Sequence, residues 1–123
     1  MKQHLFGDQL KEINYEERII LLSHVTGLNS EYMKEEYAKG IKDEEGMLRA
    51  LGFEVKIGEL IELIYNYTRQ FPSPIVSQGS FAVHISFDDG KGNKIEYKSG
   101  THMAYIDALY EIVKNLLNEK YIE

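Results

Sequence analysis

Two short segments of the chain place a histidine two residues before a hydroxyl: His24-Val25-Thr26 and His84-Ile85-Ser86. That pairing suits phosphoryl chemistry, in which one imidazole takes a proton from the attacking group and the other gives one to the leaving oxygen. The hydroxyls of Thr26 and Ser86 would then hold phosphoryl oxygens. Such chemistry needs both segments on one cleft. His84 and Ser86 lie on one side of an alternating, strand-like run, whereas His24 lies in a helical pattern that ends at Gly27. Competing nucleophiles are few. The chain has no cysteine, which removes thiol catalysis, a disulfide framework and a thiolate metal site.

The two His-x-Thr/Ser segments resemble the paired signature of two-histidine phosphoesterases, where each copy sits on a strand and faces a cleft between two lobes. A second resemblance lies in Leu22 to Tyr37, which is similar to a helix-turn-helix: Ser23 is small, Gly27 stands at the turn, and Leu28 and Met33 are apolar. Glu36 departs from that pattern where an aliphatic residue is usual. The would-be reading helix carries Glu31, Glu35 and Glu36 against Lys34 and Lys39, a poor match for phosphates. Asp88-Asp89-Gly90-Lys91-Gly92-Asn93 has the letters of a cation or phosphate loop. It lacks the closing Glu of a calcium hand, since the twelfth position from Asp88 is Ser99, and a strand rather than a helix follows it. Hairpin-turn chemistry accounts for all six residues. Thr101 reads as a helix cap, so no cofactor and no metal is expected.

Twenty Asp and Glu against fourteen Lys and Arg give a formal charge of -6 over 123 residues. The excess is spread evenly: residues 1–52 and residues 53–123 each hold ten acids and seven bases. Without a basic patch, nucleic acid is not an expected partner. The unbroken apolar run Ile19 to Leu22 is far short of the ~20 residues a membrane span needs, and the first residues carry no apolar leader. A cytoplasmic protein without membrane association is the expectation. Nine tyrosines with no tryptophan is the compositional oddity. Tyrosine combines a large contact area with a polar tip and is enriched at interaction surfaces. Tyr65 and Tyr105, each beside a core-facing neighbour, are expected to be exposed. Glu62, Asp107 and Glu111 would surround them with negative charge. Together these five residues form a candidate docking face for a protein partner with a basic surface, and a homodimer seam would use the same residues.

These residues need elements to hold them. Asn14-Tyr15-Glu16-Glu17 has the form of a capping box, with Ile19, Ile20 and Leu22 as the buried turn. Asn29 or Ser30 starts the next helix, along Met33, Tyr37 and Ile41. Asp43 with Glu44 and Glu45 opens a third, running through Met47, Leu48 and Leu51 to a stop at Gly52. Phe53, Val55 and Ile57 alternate with polar residues as a short strand or an extended connector. Leu60, Ile61, Ile64, Tyr67 and Phe71 recur at helical spacing up to Pro72-Ser73-Pro74. Beyond the prolines the period becomes two, with Phe81, Val83, Ile85 and Phe87 on one side and Ile95 and Tyr97 continuing that face on a return strand. Met103, Ile106, Leu109, Tyr110, Val113, Leu116 and Leu117 form an amphipathic stripe. That helix must cover the hairpin, because two strands alone are marginal in water. The predicted fold is α+β and one domain over 1–123. A helical part occupies 1–71, and a hairpin at 80–98 with a C-terminal helix fills 75–121. The antiparallel sheet has two or three strands, with Ile75 and Val76 as third-strand residues.

The hairpin from Phe81 to Tyr97, followed by Met103-Ala104-Tyr105-Ile106-Asp107-Ala108-Leu109, resembles the small ABA-sandwich type domains of phages that infect low-GC Gram-positive bacteria. The resemblance spans residues 58–119 and implies a phage accessory protein working in the host cytoplasm. Small, acidic, cysteine-free proteins of that kind often act by binding a host or defence protein, including CRISPR nucleases. The expectation is a binding protein rather than an enzyme, acting as an inhibitor of a host nucleic-acid enzyme or defence system in the manner of an anti-CRISPR. A helix-turn-helix regulator and a two-histidine phosphoesterase are the alternatives.

Overall fold

The computed structural model describes residues 2, 4–40, 44–50 and 54–123. Among them run six helices and three strands: α1 (Gly7–Leu10), α2 (Tyr15–Thr26), α3 (Ser30–Ala38), α4 (Glu44–Ala50), α5 (Ile57–Thr68), β1 (Ser73–Ser77), β2 (Ser80–Asp88), β3 (Lys94–Lys98) and α6 (Tyr105–Asn118). The α+β architecture read from the sequence is the observed one. Ile41, Asp43, Leu51, Gly52 and Phe53, assigned above to helix and strand patterns, lie outside the described residues.

Local chemistry sets the element ends. Asn14 accepts from the Glu17 amide at 2.8 Å while Glu17 returns a bond to the Asn14 amide at 3.0 Å, so the expected capping box starts α2. Gly27 closes α2 in the left-handed conformation at φ 73°, and Asn29, not Ser30, caps α3 by accepting from the Tyr32 amide. Val55 is a connector residue. Its carbonyl accepts from the Leu5 amide, and a single bridge joins His4 to Lys56 before α5 begins. α5 stops at Thr68 because Arg69 turns left-handed, at φ 60°. Its buried line is therefore Leu60, Leu63, Ile64 and Thr68. Tyr67 falls at the edge of that line and is 37% exposed, and Phe71, past the helix end, is 67% exposed; neither is the core residue expected.

The sheet is antiparallel in the order β1-β2-β3. Ile75 and Val76 do belong to a third strand, joined to β2 by a two-residue turn. Gln78 and Gly79, at φ 48° and 80°, supply the two positive angles that such a turn needs. On the face toward the helices lie Val83, Ile85 and Phe87, all buried, with Ile95 and Tyr97 beside them. α6 packs across β2 and β3, and α5 packs on α6. The stripe from Ile106 to Leu117 is buried as expected. Met103 is the exception at 84% exposed, because the helix starts only at Tyr105 with Ala104 at its cap. Thr101 therefore caps nothing. β1 extends beyond α6, and all five of its residues are exposed.

Candidate functional site

His84 and Ser86 are on the sheet face that turns away from the helices, in register with Lys98 and Glu96 of β3. His84 Nε2 lies 2.9 Å from Glu96 Oε1. His24 is on α2, where its Nε2 lies 3.1 Å from the Glu123 carbonyl and 2.9 Å from the Tyr67 hydroxyl. Each Nε2 thus already has a hydrogen-bond partner within the chain. Thr26 is buried, and its hydroxyl donates to the Leu22 carbonyl at 2.8 Å. His24 and His84 line separate concavities, one bounded by α2 and α5 and the other by β2 and β3. The paired cleft is not formed.

The α2–Gly27–α3 helix pair exists as expected. Glu31 and Glu35 are exposed on α3, with Lys34 at 3.9 Å from Glu31 and Lys39 at 3.1 Å from Glu36. The face a reading helix would offer to phosphates stays acidic. In the hairpin loop, Asp88 accepts from the Gly90 amide, and Asp89 accepts from the amides of Lys91 and Asn93 and the Asn93 side chain. The Lys91 amide, followed by the Asn93 side chain, holds the Asp89 carboxyl below its ordinary range. The loop's acids are spent on the turn.

The expected tyrosine face is divided by the structure. Tyr65 is half-buried and stacks on Phe71 with centroids 4.4 Å apart. Glu62, one turn earlier on α5, is exposed. Tyr105 is half-buried at the start of α6, where it lines a concavity of about 250 Å³ with Ile57, Pro74, Val76 and Phe81. Tyr65 and Tyr105 are the outward residues expected above, yet the exposed tyrosines are Tyr67, Tyr15 and Tyr32. Tyr105 finds the Phe81 ring 6.0 Å away and turns toward it.

Asp107 and Glu111 are internal ties. Asp107 accepts from Lys2 at 2.8 Å and Gln9 at 2.7 Å, fastening the first residues to α6. Glu111 accepts from the Gly100 amide at 2.8 Å and pairs with His102 at 2.9 Å, fixing the loop before α6. Partial burial pushes both carboxyls up, but the hydrogen bonds and the neighbouring positive charges outweigh it and both end below their ordinary range. A depressed folded pKa gives stability that is present above the ordinary carboxylate range and lost as pH falls through the folded value. Glu111→Gln is thus expected to lower the urea midpoint at pH 6 and to leave a smaller difference from the wild type near pH 3. An equal difference at both values would show that the tie is not electrostatic.

What remains free is a notch where α2 ends against α5. His24, Val25, Thr26, Gly27, Glu59, Glu62, Leu63 and Asn66 bound a concavity of about 310 Å³. Glu59 and Glu62 form no ion pair with any described residue there, and the negative end of the α2 dipole opens beside them. Glu59 and Asn66 were not singled out by the sequence. The signal that could have found them is their spacing from Glu62, at three and four residues on one helix face. Among the described residues no three His, Asp or Glu are grouped to hold a metal ion, and no helix is long and apolar enough to cross a membrane. Comparison with protein-family models, curated proteins and solved structures finds no match to this chain.

Proposed function

We propose that the chain is a protein-binding module whose contact surface is the acidic outward face of α5, and that its partner brings a basic surface. The observation that supports this reading is the notch itself. The Glu59 and Glu62 carboxylates and the C-terminus of α2 converge there, and among the described residues neither carboxylate has an ion-pair partner. A lysine or arginine from a partner fits such a site, and the Tyr65–Phe71 stack one turn along supplies flat apolar area next to it. With a net charge of -6, the chain would be steered toward a basic surface and repelled from nucleic acid. The form that uses the charge most fully is an inhibitor occupying the basic groove of a host nucleic-acid enzyme, as in the phage setting suggested above.

The test is capture of partners from host lysate on the tagged chain, with elution in salt steps. The wild type is expected to release a basic protein at moderate salt, because exposed charge pairs are screened within about 10 Å at 0.1 M. Glu59→Lys with Glu62→Lys is expected to lose that protein, while Glu31→Lys on α3 keeps it. Release that ignores salt, or capture that survives the double reversal, would remove the charge-based reading.

A further inference from the structure

Apart from the notch, α2 and α3 leave between them a concavity of about 280 Å³. Its walls are Tyr15, Glu16, Ile19 and Ile20 from the first two turns of α2, with Ser30 and Lys34 from the first two turns of α3. That size is at the small end of ligand sites. The apolar part of the lining is held in place by the fold. Ile19 is buried, Ile20 is half-buried, and the Tyr15 ring stands edge-on to Tyr37 with centroids 5.2 Å apart.

The charges set this concavity apart. The α2–α5 notch presents two carboxylates without a lysine or arginine, and the Tyr105 concavity presents no charged side chain. Here one acid and one base face the same space from different helices. They are not spent on each other or elsewhere. Glu16 forms no hydrogen bond or ion pair among the described residues, and Lys34 has only an exposed contact with Glu31 at 3.9 Å, too long and too wet to hold it. Other carboxylates of the chain are taken: Asp107 by Lys2, Glu12 by Lys114 and Glu36 by Lys39. The two walls also differ in sense. The α3 wall offers donors, the Lys34 ammonium and the Ser30 hydroxyl, near the positive end of that helix, while the α2 wall offers the Glu16 carboxylate as an acceptor. A ligand with one charge would leave the opposite group without a partner. A ligand with both charges close together and an apolar arm beside them serves all three parts of the lining, and its zero net charge spares it repulsion by a chain of charge -6.

We propose that the α2–α3 concavity binds a free α-amino acid with an apolar side chain: its carboxylate on Lys34 and Ser30, its ammonium on Glu16, and its side chain against Ile19, Ile20 and Tyr15. The inference does not rest on the acidic-face reading, since it uses neither Glu59 nor Glu62.

Amide-resolved NMR titration of the full chain tests it, with L-leucine as the probe. Leucine at millimolar concentration is expected to shift the signals of Glu16, Ile20, Ser30 and Lys34 to saturation and to leave those of Glu59 and Glu62 in place. Three analogues each remove one part of the match. N-acetyl-leucine lacks the ammonium, leucinamide lacks the carboxylate and glycine lacks the apolar arm, so each is expected to bind about tenfold more weakly or worse. Glu16→Gln and Lys34→Gln, both at exposed positions, are expected to keep the circular dichroism spectrum of the wild type and to weaken leucine by about the same factor. Glu35→Gln, exposed on α3 but outside the concavity, is expected to bind leucine as the wild type does. The proposal is overturned if leucine shifts none of the four signals, if any of the three analogues binds as tightly as leucine, or if either Glu16→Gln or Lys34→Gln retains the wild-type affinity.

Discussion

Leu109→Ala is expected to cost roughly 2–5 kcal/mol of folding stability, and Met103→Ala less than about 0.5 kcal/mol. Both residues belong to the same stripe in the sequence. Leu109 is fully buried in α6, which lies between the sheet and α5, so the methyl groups removed leave a void that neither layer can close without moving the other. Met103 precedes the first turn of α6 and is 84% exposed, so its truncation removes almost no contact. Domains of this kind are stable by only about 5–15 kcal/mol, so the first substitution removes a large part of the total. Urea unfolding followed by circular dichroism separates the two. A shift of the midpoint by Met103→Ala as large as that of Leu109→Ala would mean that the helix begins earlier than Tyr105.

The same pair shows which parts of the fold are legible from a sequence. A face buried by two layers must be apolar at every turn, and the residues of α6 and the alternation of β2 carry that constraint in their order. Where burial ends along an element, the periodic signal does not end with it. Met103 and Phe71 continue the spacing of their helices, yet the backbone has already left the helix, at Ala104 in one case and at Arg69 in the other. The third strand was readable only through Ile75 and Val76, because its turn uses Gln78 at positive φ, a residue type that does not announce such a turn.

The site was less legible, for a different reason. Exposure of a tyrosine and freedom of a carboxylate depend on partners distant in the chain. Asp107 is taken by Lys2 and Gln9, Glu111 by Gly100 and His102, and Tyr105 by Phe81. Each of those pairings crosses element boundaries that composition and spacing do not encode. The exposure of Glu62 is local in origin: it stands on the outer side of one helix, with Glu59 and Asn66 on the same helix.

Arg18→Leu is expected to destabilise the chain by about 3–5 kcal/mol, and adding Glu44→Leu is expected to restore most of that loss. Glu44 is 3% exposed, and Arg18 Nε stands 3.7 Å from its Oε1. The guanidinium is anchored from the other side by the Ile13 carbonyl at 2.9 Å. The Tyr37 hydroxyl approaches the same carboxylate oxygen at 3.5 Å. Burial, with the Glu44 charge adding to it, pushes this phenol up to about 12, so it stays a neutral donor at neutral pH. The geometry is loose. Arg18 Nε and Glu44 Oε2 both lack a hydrogen-bond partner among the described residues, so the pair recovers only part of what two charges lose on leaving water. Removing the cation alone leaves the carboxylate buried without compensation, and that is where the cost arises. Removing both leaves an apolar pair of similar bulk, with no charge to desolvate. A cycle of the two single variants and the double, measured by urea unfolding at neutral pH, gives the coupling directly. Additive losses would show that Glu44 reaches water in the native protein and that its burial is not what makes Arg18 matter.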